Sequence, residues 1–350
     1  MGQLENDIRD FLKERGAINV GFATLETLAG GPPSVDLTYQ LEGARSAVSF
    51  ALPLDRDKIR PYLSKEDRLG YDEEQVEKSI MSSKVSKACV EFIEGEGFAA
   101  ARVHGNNKYR TEIKGWQLLM HPDISHRYVA VASGLGSFGW SGNVGMKGYG
   151  TAIILGTVVT TADLEPTDPI PEEESFCDKC KLCAASCVGG MFSKNEETSV
   201  TLGGRTYTFA RRIDYTRCMF VCGGFTGLHK SGKWSTWSPG RYKIPESNQD
   251  CLNTMLRAIK TYEKWPALPT QGGYSATPLG GMNVKLTCGN CNYLCWGDKD
   301  ETRENYRLLT SSGCVVQRPT GEKVVLPPEE AAAEFEKMDP AHRELYTDEN

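Results

Sequence analysis

Eleven residues near the middle of the chain constrain its fold more than any other stretch. They read CDKCKLCAASC from Cys177 to Cys187, with the spacing Cys-x2-Cys-x2-Cys-x3-Cys. In proteins with this spacing, three thiolates hold irons of one [4Fe–4S] cube and the fourth reaches across to a second cube. The spacing therefore predicts a second cysteine group, and the segment CGNCNYLC supplies Cys288, Cys291 and Cys295. We predict two [4Fe–4S] clusters.

Disulfides and zinc are the competing interpretations of these cysteines. The chain has 350 residues and 12 cysteines, of which seven lie in the two groups. Disulfide frameworks are typical of short secreted chains, whereas this chain opens on MGQLENDIRDFLKERG, which lacks the apolar core of a signal peptide. Zinc competes for any Cys-x2-Cys pair, but four thiolates within eleven residues favour a cluster. We therefore expect reduced thiols and a cytoplasmic protein.

Composition argues against two classes of partner. A net charge of −6, with 25% charged residues, gives no basic surface of the kind that binds nucleic acid. No apolar run approaches the roughly 18–20 residues that are needed to span a bilayer. We therefore expect neither nucleic-acid binding nor a membrane span.

The hydrophobic pattern predicts a mixed α/β protein. Helices are predicted over 3–15, 72–94, 250–262 and 329–338, strands over 17–23, 47–52, 97–103 and 152–160, and a hairpin within 188–210. The long helix 72–94 carries an apolar stripe, which is expected to face the core. The stripe consists of Val76, Ile80, Val85, Cys89, Phe92 and Ile93.

A glycine-rich block lies before the first cysteine group. Gly134, Gly136 and Gly139 have the spacing of a dinucleotide-binding loop, but further glycines interrupt the helix that should follow. Seven glycines fall within the seventeen residues from Gly134 to Gly150. This density indicates backbone that lies against a large flat ligand or against another segment of the chain.

Together these features resemble a known family. Residues 47–55 (AVSFALPLD), 96–106 (EGFAAARVHGN), 127–164 and the two cysteine groups are similar to the cobalamin-dependent, double-[4Fe–4S] reductases. That family comprises reductive dehalogenases and epoxyqueuosine reductases, and the resemblance covers roughly residues 17–300. It is closer to the reductive dehalogenases, because the Asp-Thr-Gly-Pro and Gly-Lys-Asn signatures of epoxyqueuosine reductases are absent.

The resemblance implies an architecture. It suggests an α/β (α+β) chain with a nitroreductase-like corrinoid-binding domain over 1–165. A bacterial-ferredoxin-like domain with two [4Fe–4S] clusters would follow over 166–326. Within it, an insertion at about 223–287 would cover the corrinoid, and 327–350 would form a C-terminal tail.

The resemblance also implies ligands. One cluster would be held by Cys177, Cys180, Cys183 and Cys295. The other would be held by Cys187, Cys218, Cys288 and Cys291. The family takes the fourth thiolate from an Arg-x-Asp-x-x-Arg-Cys segment, which residues 212–218 match, and Cys222 is its rival. Cobalamin would bind base-off along Gly134, Leu135, Gly136, Gly139, Gly142, Tyr149, Gly150 and Leu155.

The implied activity is reductive cleavage of a bond in a small-molecule substrate. Electrons would come from a low-potential donor of the ferredoxin or flavodoxin type, and a protein acid would supply a proton. The candidates for that acid are Asp123 and Tyr109, the latter beside Lys108 or Arg110; His121 and Tyr128 are further candidates.

Two alternative functions remain open at this point. The chain could be a non-catalytic electron carrier or corrinoid-reducing activator on the same scaffold. It could also be an epoxyqueuosine reductase that acts on tRNA.

Overall fold

The computed structural model describes residues 2–105, 108–213, 215–262, 264–265, 275–276, 284–285 and 287–348. Asp214, in the segment that matches the family's ligand motif, lies outside the described residues. So do residues 263, 266–274, 277–283 and 286 of the predicted insertion.

Helices and strands are interspersed along the chain, and the mixed α/β class is confirmed. The helices are α1 (Gln3–Lys13), α2 (Arg56–Ser64), α3 (Leu69–Gly95), α4 (Trp116–Leu119), α5 (His126–Ala132), α6 (Leu182–Ala185), α7 (Tyr215–Cys222), α8 (Asn248–Tyr262), α9 (Asn290–Tyr293), α10 (Lys299–Thr310), α11 (Pro328–Lys337) and α12 (Pro340–Arg343). The strands are β1 (Asn19–Thr24), β2 (Ser46–Pro53), β3 (Ala100–Arg102), β4 (Ser137–Phe138), β5 (Val144–Gly145), β6 (Ile153–Thr160), β7 (Phe192–Leu202), β8 (Arg205–Arg212), β9 (Ser275–Ala276), β10 (Val284–Lys285), β11 (Cys314–Gln317) and β12 (Lys323–Leu326).

An antiparallel sheet with the strand order β1-β2-β6-β3 forms the centre of the first half. Because successive side chains of a strand point to opposite faces, Val48 and Phe50 of β2 pack with α1 and α3 on one face. On the other face, Ala47 packs in a cluster with Val129 of α5. Both faces are covered, which explains why these strands read as almost continuous apolar runs.

Helix α3 shows where the hydrophobic pattern is insufficient. Val85, Cys89 and Ile93 are buried as the stripe predicts, but Ile80 is 49% exposed. Toward the N-terminus of α3, the buried face continues with serines rather than with Ile80, and these serines line a cavity.

The second half of the chain shares a core with the first. Leu54 and Leu63 lie in one buried cluster with Leu294 and Leu309, and α2 contacts α10. The C-terminal tail also packs: Tyr346 is 1% exposed, and its ring centroid lies 4.8 Å from that of Trp265. The proposed boundaries at 165/166 and 326/327 therefore remain predictions.

Within the part of the chain that the structure describes, none of the helices combines the length and hydrophobicity needed to cross a membrane.

Candidate functional site

The two cysteine segments lie side by side because α6 packs against α9. The side-chain amide of Asn290 donates a hydrogen bond to the Ser186 carbonyl at 3.4 Å. In the first segment, Lys179 and Lys181 adopt left-handed backbone conformations, with φ of +55° and +61°. Such φ values are uncommon for non-glycine residues, and here they turn the chain tightly between successive cysteines.

The end of the glycine block packs against the backbone of the second cysteine segment. Gly150 has φ of +57°, and a Cβ atom added there would overlap the carbonyl oxygen of Cys295 and the amide nitrogen of Gly297. Next to it, the Thr151 amide donates to the Cys295 carbonyl at 2.9 Å, and the Thr151 hydroxyl donates to the Asn292 carbonyl at 2.6 Å. Glycine at position 150 therefore permits a close backbone approach that no other residue allows.

Other glycines of the block also face chain segments. A Cβ at Gly134 would overlap the Asp168 carbonyl, and one at Gly136 would meet the Gly145 carbonyl at 2.7 Å. A Cβ at Gly139 or Gly142 would meet an aromatic ring, that of Phe176 or Phe209 respectively. Leu135 is fully buried, and Tyr149 lies at the surface beside Gly150. Among the sequence-predicted corrinoid contacts, Leu155 lines the large cavity described below.

One set of thiols comprises Cys177, Cys180, Cys183 and Cys295, called set one below. Burial raises the pKa of the Cys183 thiol to about 12, and the charges of the other three add to the rise. The Cys180 sulfur is partly buried even though the residue as a whole is exposed, and this partial burial raises its pKa to about 11. The Trp140 backbone N–H donates to the Cys177 sulfur at 3.2 Å. Cys180 is the exposed member of this set.

A second set comprises Cys187, Cys218, Cys288 and Cys291, called set two below. Burial raises the pKa of Cys187 to about 12, with smaller contributions from Cys218 and Cys288. Burial also raises the pKa of Cys291, and the other three thiols of the set raise it further. The Met191 amide donates to the Cys187 sulfur at 3.3 Å.

Cys222 lies beside set two. Its sulfur is 3.6 Å from that of Cys218 and 3.5 Å from the Cys288 carbonyl oxygen. The hydrogen bond from Cys222 and the charge of Arg212 lower the pKa of Cys218 despite its burial, whereas the pKa of Cys222 is raised. Cys218 is therefore the more easily ionised thiol of the pair.

The chemistry of both sets fits iron–sulfur clusters. The raised pKa values of Cys180, Cys183, Cys187 and Cys291 keep these thiols protonated on their own, whereas bound metal ions stabilise the thiolates and release the protons. Within the described residues, no group of three or more His, Cys, Asp or Glu side chains is close enough to hold a single metal ion.

A cavity of about 550 Å³ lies between α3, β6 and α9. One wall carries the hydroxyls of Ser79, Ser82, Ser83 and Ser86, which are spaced so that they share one face of α3. The apolar start of β6 also lines the cavity, and the Ser82 hydroxyl donates to the Leu155 carbonyl at 3.3 Å. Asn292, the residue after Cys291, also lines this cavity. The sequence signal that could have found this wall was the helical spacing of the four serines.

A smaller cavity of about 260 Å³ shares His126 and Arg127 with the large one. Both ring nitrogens of His126 are engaged, Nδ1 with the Thr157 hydroxyl at 2.8 Å and Nε2 with the His104 carbonyl at 3.0 Å. The remaining lining residues are Ser34, Tyr109, Leu119, Met120, His121, Pro122, Ser125, Tyr128 and Tyr215.

Of the two main sequence-predicted proton donors, Tyr109 lines the small cavity and Asp123 does not. Tyr109 lines the small cavity and stacks on Trp116, with centroids 6.4 Å apart. The guanidinium of Arg110 instead pairs with Glu112 and donates to the Pro33 carbonyl at 2.6 Å. Asp123 is half-buried and is not among the described residues that line either cavity.

Tyr215 is the residue that the sequence analysis missed. Its hydroxyl accepts hydrogen bonds from Arg127 at 3.0 Å and from Arg212 at 2.5 Å. Burial alone would raise its pKa, but the two guanidinium charges outweigh burial and lower the pKa to about 8. Tyr215 lies in the segment 212–218, from which the sequence analysis predicts only Cys218 as a functional residue.

Comparison with solved structures returns two kinds of enzyme. The catabolic reductive dehalogenase NpRdhA matches over 63% of this chain and 29% of its own, with 15% identity and a TM-score of 0.47. A reductive dehalogenase structure described for B12-dependent dehalogenation matches over 97% of this chain and 49% of its own, with 14% identity and a TM-score of 0.48. Epoxyqueuosine reductase from Bacillus subtilis matches over 98% of this chain and 88% of its own, with 14% identity and a TM-score of 0.42.

The chain thus spans less than a third of the length of NpRdhA. No protein-family profile matches the sequence, and neither does any curated protein. These matches are to the same two kinds of enzyme that the sequence resembles.

Proposed function

We propose that this chain is a corrinoid-dependent reductase of the reductive dehalogenase type. Electrons from an external low-potential carrier of the ferredoxin or flavodoxin type would pass through two [4Fe–4S] clusters to a base-off cobalamin. The single observation that carries the proposal is that Asn292, adjacent to Cys291, lines the 550 Å³ cavity. The second thiol set and the cavity therefore share α9.

The proposal assigns one cluster to set one and the other to set two. Iron and sulfide would stabilise the buried thiolates that the protein alone leaves protonated. The potentials of such clusters are adjusted by net charge, by hydrogen bonds to sulfur and by burial. The Trp140 N–H at Cys177 and the Met191 N–H at Cys187 are two such hydrogen bonds.

In this proposal the large cavity would receive part of the corrinoid, which has an extended ring and a rim of amide groups. The apolar residues Ile153–Gly156 of β6 would face the ring, and the serine hydroxyls of α3 would bond to amides of the rim. When bound, cobalamin would supply a strongly reducing metal centre for cleavage of the substrate bond. His126 would not be its ligand, because both of its ring nitrogens are engaged.

The small cavity would bind the substrate, and Tyr215 would be the proton donor. A volume of about 260 Å³ lies just below the usual range for ligand pockets, about 300–1,000 Å³, and suits a small molecule. A pKa of about 8 places the Tyr215 hydroxyl close to working pH, where general acids are most effective. Arg127 and Arg212 would orient it and stabilise the phenolate that remains after proton transfer.

Anaerobic reconstitution with iron, sulfide and hydroxocobalamin tests this function. We expect the purified chain to retain about eight irons and one cobalt, from two four-iron clusters and one corrinoid. Ser86→Leu should fill the large cavity and lose cobalt while keeping iron. Lys84→Leu, at an exposed position of the same helix, is the matched control and should keep both. Retention of iron without cobalt by the unmodified chain would contradict the corrinoid assignment.

A panel of halogenated organic compounds and epoxyqueuosine-containing RNA would then identify the substrate. Because the candidate substrate cavity is small, we expect turnover of a small molecule rather than of RNA.

A further inference from the structure

A hydrogen-bonded path connects set two with the small cavity. The Asn143 side-chain amide donates to the Cys291 sulfur at 3.6 Å. Arg212 donates through one terminal nitrogen to the Asn143 side-chain oxygen at 3.4 Å and through the other to the Tyr215 hydroxyl at 2.5 Å. Two side chains therefore separate a candidate cluster ligand from the candidate acid.

The path is held in place by the backbone of the glycine block. Arg212 donates from Nε and Nη2 to the Ser141 carbonyl at 3.1 and 2.7 Å. Arg127 donates to the Gly142 carbonyl at 3.0 Å while its other terminal nitrogen holds Tyr215. Because a guanidinium is a rigid planar fork, these anchors fix the direction of both cations toward the same hydroxyl.

The charges around Tyr215 come from several elements. The groups that face it or share its cavity are Arg127, Tyr128 and His126 of α5, Arg212 of β8, and Tyr109 and His121 of the cavity wall. Cys291 of α9 acts on the two guanidiniums, whose pKa values its charge raises. The two guanidiniums favour the phenolate, whereas negative charge at set two favours the phenol. Arg212 connects the two, because it donates hydrogen bonds both to the Tyr215 hydroxyl and to Asn143, which in turn donates to the Cys291 sulfur.

We propose that Tyr215 takes up a proton when an electron arrives at set two, so that one network supplies an electron and a proton to the same cavity. This inference rests on the proposed function, because it requires a cluster on Cys291. One electron from the low-potential carrier would lower the charge of a cluster held by set two by one unit, and one proton from solvent would convert the Tyr215 phenolate to the phenol. Cleavage of the substrate bond would consume this proton and two electrons from the carrier, and the leaving group would depart as its anion. The acid is therefore loaded when the electron is present.

Thermodynamic linkage makes the inference measurable. If reduction favours protonation of Tyr215, protonation must favour reduction by the same factor. Below the Tyr215 pKa of the oxidised protein, the phenol is protonated in both states and the potential of set two is constant. Between that pKa and the higher Tyr215 pKa of the reduced protein, the potential falls as pH rises, with a limiting slope of about 59 mV per unit for one electron and one proton, and above both pKa values it is constant again.

The test is a redox titration of the reconstituted full chain between pH 6 and 10, with each cluster followed by its electron paramagnetic resonance signal. One cluster should show a potential that falls in the alkaline range, and the other should not. Tyr215→Phe should abolish the fall, and Arg212→Lys, which cannot reach both partners, should weaken it. Tyr207→Phe alters a half-buried tyrosine of β8 that is not among the described residues lining either cavity, and it should leave the fall unchanged.

The outcomes separate this inference from the function on which it rests. Potentials that are independent of pH in a chain that holds iron and cobalt would overturn the inference and leave the proposed function intact. A pH-dependent potential that persists in Tyr215→Phe would also overturn it. A chain that assembles no clusters would overturn both. If Tyr215→Phe fails to fold, Arg212→Lys and the unmodified chain still decide the question.

Discussion

The two thiol sets differ in their surroundings more than in their cysteines. In set one, Cys180 is exposed to solvent, and Cys177 accepts a hydrogen bond from a backbone amide. In set two, Cys291 accepts from a side chain, Asn143, and its neighbour Asn292 lines the large cavity. The exposed set suits electron entry from an external carrier, and the enclosed set suits delivery to the cavities. The comparison suggests a direction for electron flow.

Removal of the Tyr215 hydroxyl should have the largest effect on turnover, because it removes the proposed proton donor, which the hydrogen-bonded path connects to set two. We expect Tyr215→Phe to lower turnover by about 10²- to 10⁴-fold, the usual contribution of a general acid. The Tyr215 pKa is about 8 in the chain alone and should be higher when set two is reduced. The unmodified enzyme should be active below that reduced-state pKa and lose activity above it, because only the phenol can donate. Initial rates from pH 6 to 10 provide the measurement.

The matched variant for this prediction is Tyr207→Phe, which should retain most of the activity because Tyr207 is not among the described residues that line either cavity. Burial raises the pKa of Tyr207, so this phenol stays protonated and does not produce the alkaline loss. Rates that increase through pH 8 in the unmodified enzyme would contradict the assignment of Tyr215.

Replacement of the fourth cysteine of set two should remove one cluster and spare the other. Cys218 is the more easily ionised member of its pair with Cys222. We therefore expect Cys218→Ser to perturb one paramagnetic resonance signal and to lower the iron content by up to about half, the share of one of two four-iron clusters. Cys222→Ser, one helical turn away, should change neither quantity. The reverse result would reassign the ligand.

Substitutions at two glycines, Gly150 and Gly148, test whether the glycine block fixes the backbone at Cys295 of set one. In Gly150→Ala, the new methyl group would overlap the Cys295 and Gly297 backbones, and neither can move without displacing the cysteine. We expect a loss of unfolding free energy on the order of 3 kcal/mol, together with a weakened set-one signal. Gly148→Ala also has a positive φ but meets nothing within 4 Å. It should cost only about 1 kcal/mol. Equal costs in denaturant titrations would contradict the close approach at Gly150.

The sequence could predict the thiol sets because cysteine spacing is local and few chemistries use it. It also predicted most of helix α3, since 3.6-residue periodicity is local as well. Tyr215 could not be predicted in this way. Its pKa depends on Arg127, 88 residues away in sequence, so no local pattern marks it.

The glycine block shows a different limit. A dense run of glycines indicates that something approaches the backbone closely, but it does not identify what approaches. The sequence left a flat ligand and another chain segment as alternatives. At Gly134 and Gly150 the approaching atoms are backbone atoms of Asp168 and Cys295. The large cavity is lined instead by serines, which hydrophobic periodicity ignores.

Substitution of Asn143 should have the smallest effect, and it should affect the potential of only one of the two sets. A hydrogen bond to a ligand sulfur stabilises the added negative charge of the reduced cluster. Asn143→Ala should therefore make the potential of set two more negative. We expect a shift below the 59 mV that corresponds to a tenfold change in a one-electron equilibrium, because the bond is long at 3.6 Å.

The potential of set one should not change in Asn143→Ala, because Cys177 takes its hydrogen bond from the Trp140 backbone, which the substitution leaves in place. Redox titration of both signals in one sample makes set one an internal control. A shift confined to set two would show that a side chain adjusts this set. Equal shifts in both sets would mean that the substitution had disturbed the glycine block, which contacts both cysteine segments, and the two sets would then not be independent.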